Sequence, residues 1–253
     1  MDGVVVTGSY NRWQAWAGTE VIGTMRAWLR PDQRCVLMFR GCRPDAYPPL
    51  LARAVAEFDR DLWTKAGEAE LPRLTALGFA VARREHHYRI PTDPVRAGVA
   101  AAAAPPGIAL VSAADADLDR LRELDDALRE VIPGSGGWRW SPEEFREETF
   151  SEGFDPATYL VAVEGATGGY VGLVRVWLRR SGARLGCIGV LPPYRRTRVI
   201  PALLGTVLRT VHERGHRELV AETDASNRAA KALAARCRAV HTGDSYELVL
   251  AHG

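Results

Sequence analysis

The stretch Leu185–Leu204, LGCIGVLPPYRRTRVIPALL, restricts this chain more than any other. The apolar run Leu185–Val190 predicts a buried strand, and Pro192 and Pro193 predict a turn. Arg195, Arg196 and Arg198 make the next segment a basic loop. Ala202, Leu203 and Leu204 then fall in the early turns of a helix. Strand, basic loop and helix N-terminus in that order form a site for a phosphate-bearing ligand. Loop amides and the positive end of the helix dipole face the anion, and guanidinium groups add charge and paired donors.

The rest of the composition sets limits on this reading. The chain has 253 residues, 47% hydrophobic and 25% charged, enough for one large domain or two small ones. A formal net charge of +2 argues against a dedicated nucleic-acid binder. Cys35, Cys42, Cys187 and Cys237 form no CxxC pair and read as small buried thiols of a reduced protein. The N-terminus has no signal-peptide pattern, and no apolar run reaches the ~18 residues of a membrane span. A cytoplasmic protein without nucleic-acid or membrane partners is the expectation.

Taken in order, Val4–Val6, Val21–Leu29 and Arg34–Phe39 read as strands. Tyr47–Ala66 reads as a helix from the spacing of Leu50, Leu51, Ala54, Val55, Phe58 and Leu62, although Leu62–Thr64 also fits a short strand. A helix over Glu68–Leu77 stops at Gly78, and Phe79–Ile90 is a strand. Residues 96–107, rich in alanine and closed by Pro105, Pro106 and Gly107, are the linker candidate between domains at 1–95 and 108–253.

Beyond it come a strand (Ile108–Val111), a helix (Asp117–Glu130), a glycine-rich loop (Ile132–Trp140) and a helix opened by Ser141 and Pro142. A strand hairpin (Tyr159–Glu164, Tyr170–Leu178) leads into the opening stretch. Strand Glu218–Glu222, helix Ser226–Ala235 and strand Tyr246–Leu250 complete the chain. The succession strand, helix, strand, helix, strand occurs in both halves, which reads as an internal duplication.

The second half resembles the Gcn5-related N-acetyltransferase (GNAT) superfamily across most of Ile108–Val249. TYLVAVEGATGGYVGLVRVW looks like that family's second and third strands. IGVLPPYRR looks like its fourth strand and cofactor loop, and DASNRAAKALAARC like the segment with its cofactor-proximal asparagine. The first half looks like a truncated, degenerate copy. The resemblance implies an α/β (α+β) fold of two tandem acyl-CoA N-acyltransferase-like domains, each with a mixed central sheet flanked by helices. It also implies acetyl-CoA as co-substrate and transfer of an acetyl group to a primary amine of a small molecule or peptide, by a monomer or homodimer.

By the same resemblance, Ile188, Gly189 and Val190 hold the pantetheine and acetyl group. Arg195, Arg196, Thr197, Arg198, Val199, Ile200 and Pro201 form the pyrophosphate loop, and Asn227 lies near the cofactor. Glu222 takes the position of a general base. Ala234 stands where the family places a tyrosine acid, which leaves Tyr246 as a substitute. Arg198 and Ile200 occupy the loop's glycine positions. That leaves open a second reading, a catalytically degenerate ligand-binding or interaction module.

Asp126, Trp138 and Trp140 lie where such enzymes receive the acceptor. They read either as an aromatic and acidic substrate wall or as a tryptophan pair anchoring a loop beneath a solvated acidic face. His86 and His87 point to opposite faces of a strand and cannot jointly chelate, so no metal is expected. The first half has no basic glycine loop after its strand and is expected to bind no CoA.

Overall fold

A computed structural model describes residues 4–30, 32–99, 103–134 and 139–252. The chain divides into two compact units, Met1–Glu85 with Asp244–Gly253, and His86–Gly243. This differs from a linear division at residues 96–107, because the last strand of the chain is built into the first unit's sheet.

The first unit contains β1 (Val5–Ser9), β2 (Arg12–Ala17), β3 (Glu20–Leu29), β4 (Cys35–Arg40), α1 (Tyr47–Glu57), β5 (Leu62–Gly67) and α2 (Leu71–Ala76). Strand β6 (Ala80–Pro91) follows, and β12 (Val240–Leu250) returns at the end of the chain. The order is β1-β2-β3-β4-β5-β12. β4 and β5 run parallel and the other pairs are antiparallel, so the sheet is mixed.

The helix expected over Tyr47–Ala66 ends at Glu57, where Phe58 turns to extended dihedrals. The alternative strand at Leu62–Thr64 is the one realised. Leu62, Thr64 and Ala66 alternate inward from a strand between β4 and β12, and period 2 wins because two neighbours take its backbone bonds. Trp13, Ile22, Met25, Leu37, Leu50 and Leu248 form the core.

The second unit contains β7 (Ile108–Ser112), α3 (Leu118–Val131), α4 (Pro142–Thr149), β8 (Tyr159–Glu164), β9 (Tyr170–Arg179) and β10 (Gly182–Val190). Then come α5 (Val199–Glu213), β11 (Glu218–Asp224) and α6 (Arg228–Arg236). Its order is β11-β10-β9-β8-β7. The ladder is antiparallel from β7 to β10, and β10 pairs β11 in parallel.

Alternation along β8 and β9 sends one set of side chains to each face. Leu160, Val174 and Val176 pack under α5, whereas Tyr159, Val161 and Leu173 pack under α3 and α4 with Leu121, Leu124, Leu128 and Phe145. Ser141 and Glu144 close a reciprocal capping box at the start of α4, as the sequence signals. The stretch read as a linker packs on the second unit through Ala97, fully buried, and just before it the Thr92 hydroxyl donates to the His216 carbonyl at 2.6 Å.

Candidate active site

β10 and β11 share only the register pairs Ala183–Leu219 and Arg184–Val220, and then diverge. From Leu185 to Val190 the β10 edge that faces β11 has no strand partner, while the other edge stays laddered to β9. The backbone groups of Ile188, Gly189 and Val190 therefore line a wedge between two parallel strands. The β10–β9 register shifts between Leu185 and Cys187, with Gly186 as the extra residue. A Cβ on Gly186 would stand 2.4 Å from Trp177 Cζ3, so only glycine fits this bulge.

The loop beyond β10 is a short 3-10 turn (Pro192–Tyr194) running into α5. Arg195, Arg196, Thr197 and Arg198 are exposed. Thr197 braces the loop: its hydroxyl donates to the Tyr194 carbonyl at 2.7 Å and accepts the Val199 amide at 3.3 Å. The amides of Arg196, Arg198 and Ile200 make no hydrogen bond among the described residues, and the three guanidinium groups make no ion pair there.

Free amides, free guanidinium groups and the start of a 15-residue helix are a donor set suited to phosphate oxygens. Neither Arg198 nor Ile200 takes a positive φ, so the missing glycines cost Cβ clearance and nothing in backbone conformation. Pro201 sits in the first turn of α5, where a missing N–H is tolerated. Val199 is fully buried and serves the core. Tyr194 donates to Glu164 Oε1 at 2.5 Å, tying the loop to the end of β8, and this bond holds the Glu164 carboxyl below its usual range.

Glu222 lies on β11 past the point of divergence, its Oε2 3.3 Å from Arg184 Nη2 and its side chain 22% exposed. Asn227 caps α6, its side-chain oxygen accepting the Ala230 amide at 3.0 Å. Tyr246 lies in the first unit's sheet opposite Ala66 and packs on that unit's core, because β12 continues into the first unit.

Among the acceptor candidates, Trp138 lies outside the described residues. Asp126 Oδ1 accepts the Trp140 amide at 3.3 Å, and burial raises the Asp126 carboxyl above its usual range. Asp125 Oδ2 accepts from Arg129 Nε at 2.5 Å and Trp140 Nε1 at 3.0 Å. The indole also meets Phe145 edge-on. Asp126 and Trp140 thus anchor the loop. The acidic face expected to be solvated is instead buried, with Asp125 fully covered and Asp126 6% exposed.

The sequence reading passed over Arg175, the one charged residue inside the apolar run of β9. It is 4% exposed and lies opposite Tyr159 on β8 and Cys187 on β10. Burial pushes the Cys187 thiol up to about 11. At pH 8 it should therefore react slowly with iodoacetamide in the folded protein and faster on denaturation, as peptide mapping would show; rapid native labelling would contradict the raised thiol pKa.

In the first unit, β4 and β5 also pair for only three residues, Cys35–Leu37 with Leu62–Thr64, before separating. A cavity of about 420 Å³ fills that gap, lined by Phe39, Cys42, Tyr47, Lys65, Glu70 and Arg73 among others. Its loop differs from that of the second unit. Arg43 is paired to Glu20 and Asp45, and α1 opens with Pro48 and Pro49, which have no N–H to offer.

Residues 119–238 match the profile of the Acetyltransferase (GNAT) family. No curated protein matches the chain in sequence. Among solved structures, a GCN5-related N-acetyltransferase from Sphaerobacter thermophilus is similar over 94% of this chain and 80% of its own, with a TM-score of 0.71 at 20% identity. A tandem GNAT protein from the clavulanic acid biosynthesis pathway is similar over 96% and 82%, with a TM-score of 0.71 at 17% identity. A GCN5-related N-acetyltransferase from Kribbella flavida is similar over 99% and 91%, with a TM-score of 0.58 at 14% identity. The chain shares the fold of tandem GNAT proteins over nearly its whole length.

Proposed function

Residues 119–238 are a domain of the GNAT acetyltransferase family, and from that premise we propose that the chain moves an acetyl group from acetyl-CoA to a primary amine of a small molecule or peptide. One observation supports this above the others: the unpaired β10 edge runs directly into a loop of free amides and unpaired arginines at the N-terminus of α5.

Arg195, Arg196 and Arg198, with the loop amides, would hold the pyrophosphate, and Arg198 would make up in charge for the lost glycine approach. Ile188, Gly189 and Val190 would orient the acyl end through main-chain groups, one of which would donate to the carbonyl oxygen as negative charge develops. Acetyl-CoA supplies the activated acyl group. Glu222 would take the proton of the attacking amine, directly or through water. With alanine at position 234, where the family places its tyrosine acid, the departing thiolate would be protonated by solvent. Four free cysteines suit the reducing cytoplasm, where we expect the protein to act.

Calorimetric titration with acetyl-CoA tests the reading. Binding is expected, and Arg198→Ala should weaken it by about ten- to a hundredfold, the worth of a charge-assisted hydrogen bond. No binding at millimolar ligand would defeat the enzyme reading. Binding without CoA release across a panel of amines would favour the non-catalytic module, which the buried Ala234 supports.

A further inference from the structure

In the first unit, the gap between β4 and β5 is held open from both sides. β4 stays laddered to β3 as far as Arg40, and β5 to β12 as far as Gly67, so each strand is fixed by its outer neighbour. The cavity of about 420 Å³ between them therefore needs no movement to form, and its size falls within the range of small-molecule sites. Crevices past the carboxyl ends of separating parallel strands are common ligand sites in sheets of this kind.

Much of the polar lining is already committed. The Thr64 hydroxyl donates to the Leu37 carbonyl at 2.9 Å, and the Cys42 thiol to the Thr24 carbonyl at 3.4 Å. Lys65 Nζ pairs with Glu85 Oε2 at 2.7 Å. Two lining groups of opposite charge make no ion pair among the described residues. Arg73 rests on the Tyr47 ring, its guanidinium carbon 5.1 Å from the ring centre. Glu70 gives Oε2 to the Gly67 amide at 3.1 Å, and its other oxygen accepts no hydrogen bond among the described residues.

These two residues stand three apart at the start of α2, a spacing at which opposite charges on a helix commonly meet. Here the Gly67 amide holds one and the Tyr47 ring the other. A carboxylate and a guanidinium that face one cavity without pairing suit a ligand carrying both charges. A simple anion would meet the like charge of Glu70, and a simple amine that of Arg73. The remaining wall is largely apolar: Leu74, and the rings of Phe39 and Tyr47 with their centres 4.9 Å apart.

We propose that this cavity binds an α-amino acid with an apolar side chain. Arg73 takes the carboxylate through paired donors, Glu70 takes the ammonium group, and the side chain lies against Phe39 and Tyr47. All of these residues belong to the first unit, so the site does not depend on acetyl transfer by the second.

The test is a calorimetric titration of the full chain, without acetyl-CoA, with L-leucine and L-phenylalanine. Each is matched with its amide and with the acid that lacks the amino group. Both amino acids are expected to bind, and each analogue to bind about ten- to a hundredfold more weakly, the worth of one charge-assisted hydrogen bond. In Arg73→Gln the amino acid should bind no better than its amide binds the parent, while the affinity for the amide stays unchanged. In Glu70→Gln the same should hold for the deaminated acid.

A merely structural role for either residue would weaken all three ligands together and overturn the assignment. If Arg73→Gln does not fold, Arg73→Lys takes its place: it keeps the charge without the paired donors and should lose most of the preference for acid over amide. No binding of either amino acid at millimolar concentration, or analogues as tight as the amino acids, also overturns the site. So does binding that survives both substitutions, which would place the amino acid in the second unit as an acceptor. Failure of acetyl-CoA to bind or to react would defeat the transferase reading and leave each of these outcomes as it stands.

Discussion

Glu222→Gln is expected to lower kcat by about 10²- to 10⁴-fold, the usual worth of a positioned general base, while leaving the affinity for acetyl-CoA unchanged. An amide has the volume of the carboxylate and can still accept from Arg184 Nη2, now 3.3 Å from Glu222 Oε2, so the wedge between β10 and β11 keeps its shape. What the amide cannot do is take a proton from an ammonium or amine. The comparison needs two measurements, CoA release under saturating acceptor and a binding titration with acetyl-CoA. An unchanged rate would remove Glu222 from the mechanism. A fall in rate matched by a fall in acetyl-CoA affinity would mean that the substitution had disturbed the wedge.

Leu203→Ala should cost about 2–5 kcal/mol of stability, the range for emptying a fully covered leucine site. Leu203 is 0% exposed on α5 and packs in one cluster with Leu160, Val174, Val207 and Leu219. The helix behind the basic loop is therefore also the main cover on that face of the second unit's sheet, and the void has little freedom to collapse. Urea unfolding followed by the second unit's tryptophans gives the number. A loss under about 1 kcal/mol would show that the face is loosely packed. Arg195→Ala, in the exposed loop before that helix, should leave stability within about 0.5 kcal/mol, so the two substitutions separate folding from ligand binding.

The local elements of the second unit were legible because their signals are short-range. Ser141 and Glu144 announce the start of α4, the alternation of β8 and β9 announces two strands, and Gly78 marks the end of a helix in the first unit. The basic loop was legible too, since charge, turn residues and the following apolar helix are contiguous in the chain. The helix over Tyr47–Ala66 overran because Phe58 and Leu62 continue the helical spacing. Only the ladder partners on either side of β5 decide for a strand there. Asp126 and Trp140 fitted either a substrate wall or a loop anchor, because sequence does not reveal that a carboxylate and the indole segment after it will find each other.

By itself, then, the sequence determined the succession of strands and helices and the phosphate-seeking character of Leu185–Leu204. These depend on residues adjacent along the chain or on one element's own period. Tertiary structure alone decided three other matters. It opened β10 from β11 after Arg184, because parallel pairing there lasts only two residues. It assigned Tyr246 to the first unit, because strand pairing joins residues far apart in sequence. And it buried Arg175 against the rings of Tyr159 and Trp177, with Nε and Nη1 making no hydrogen bond among the described residues.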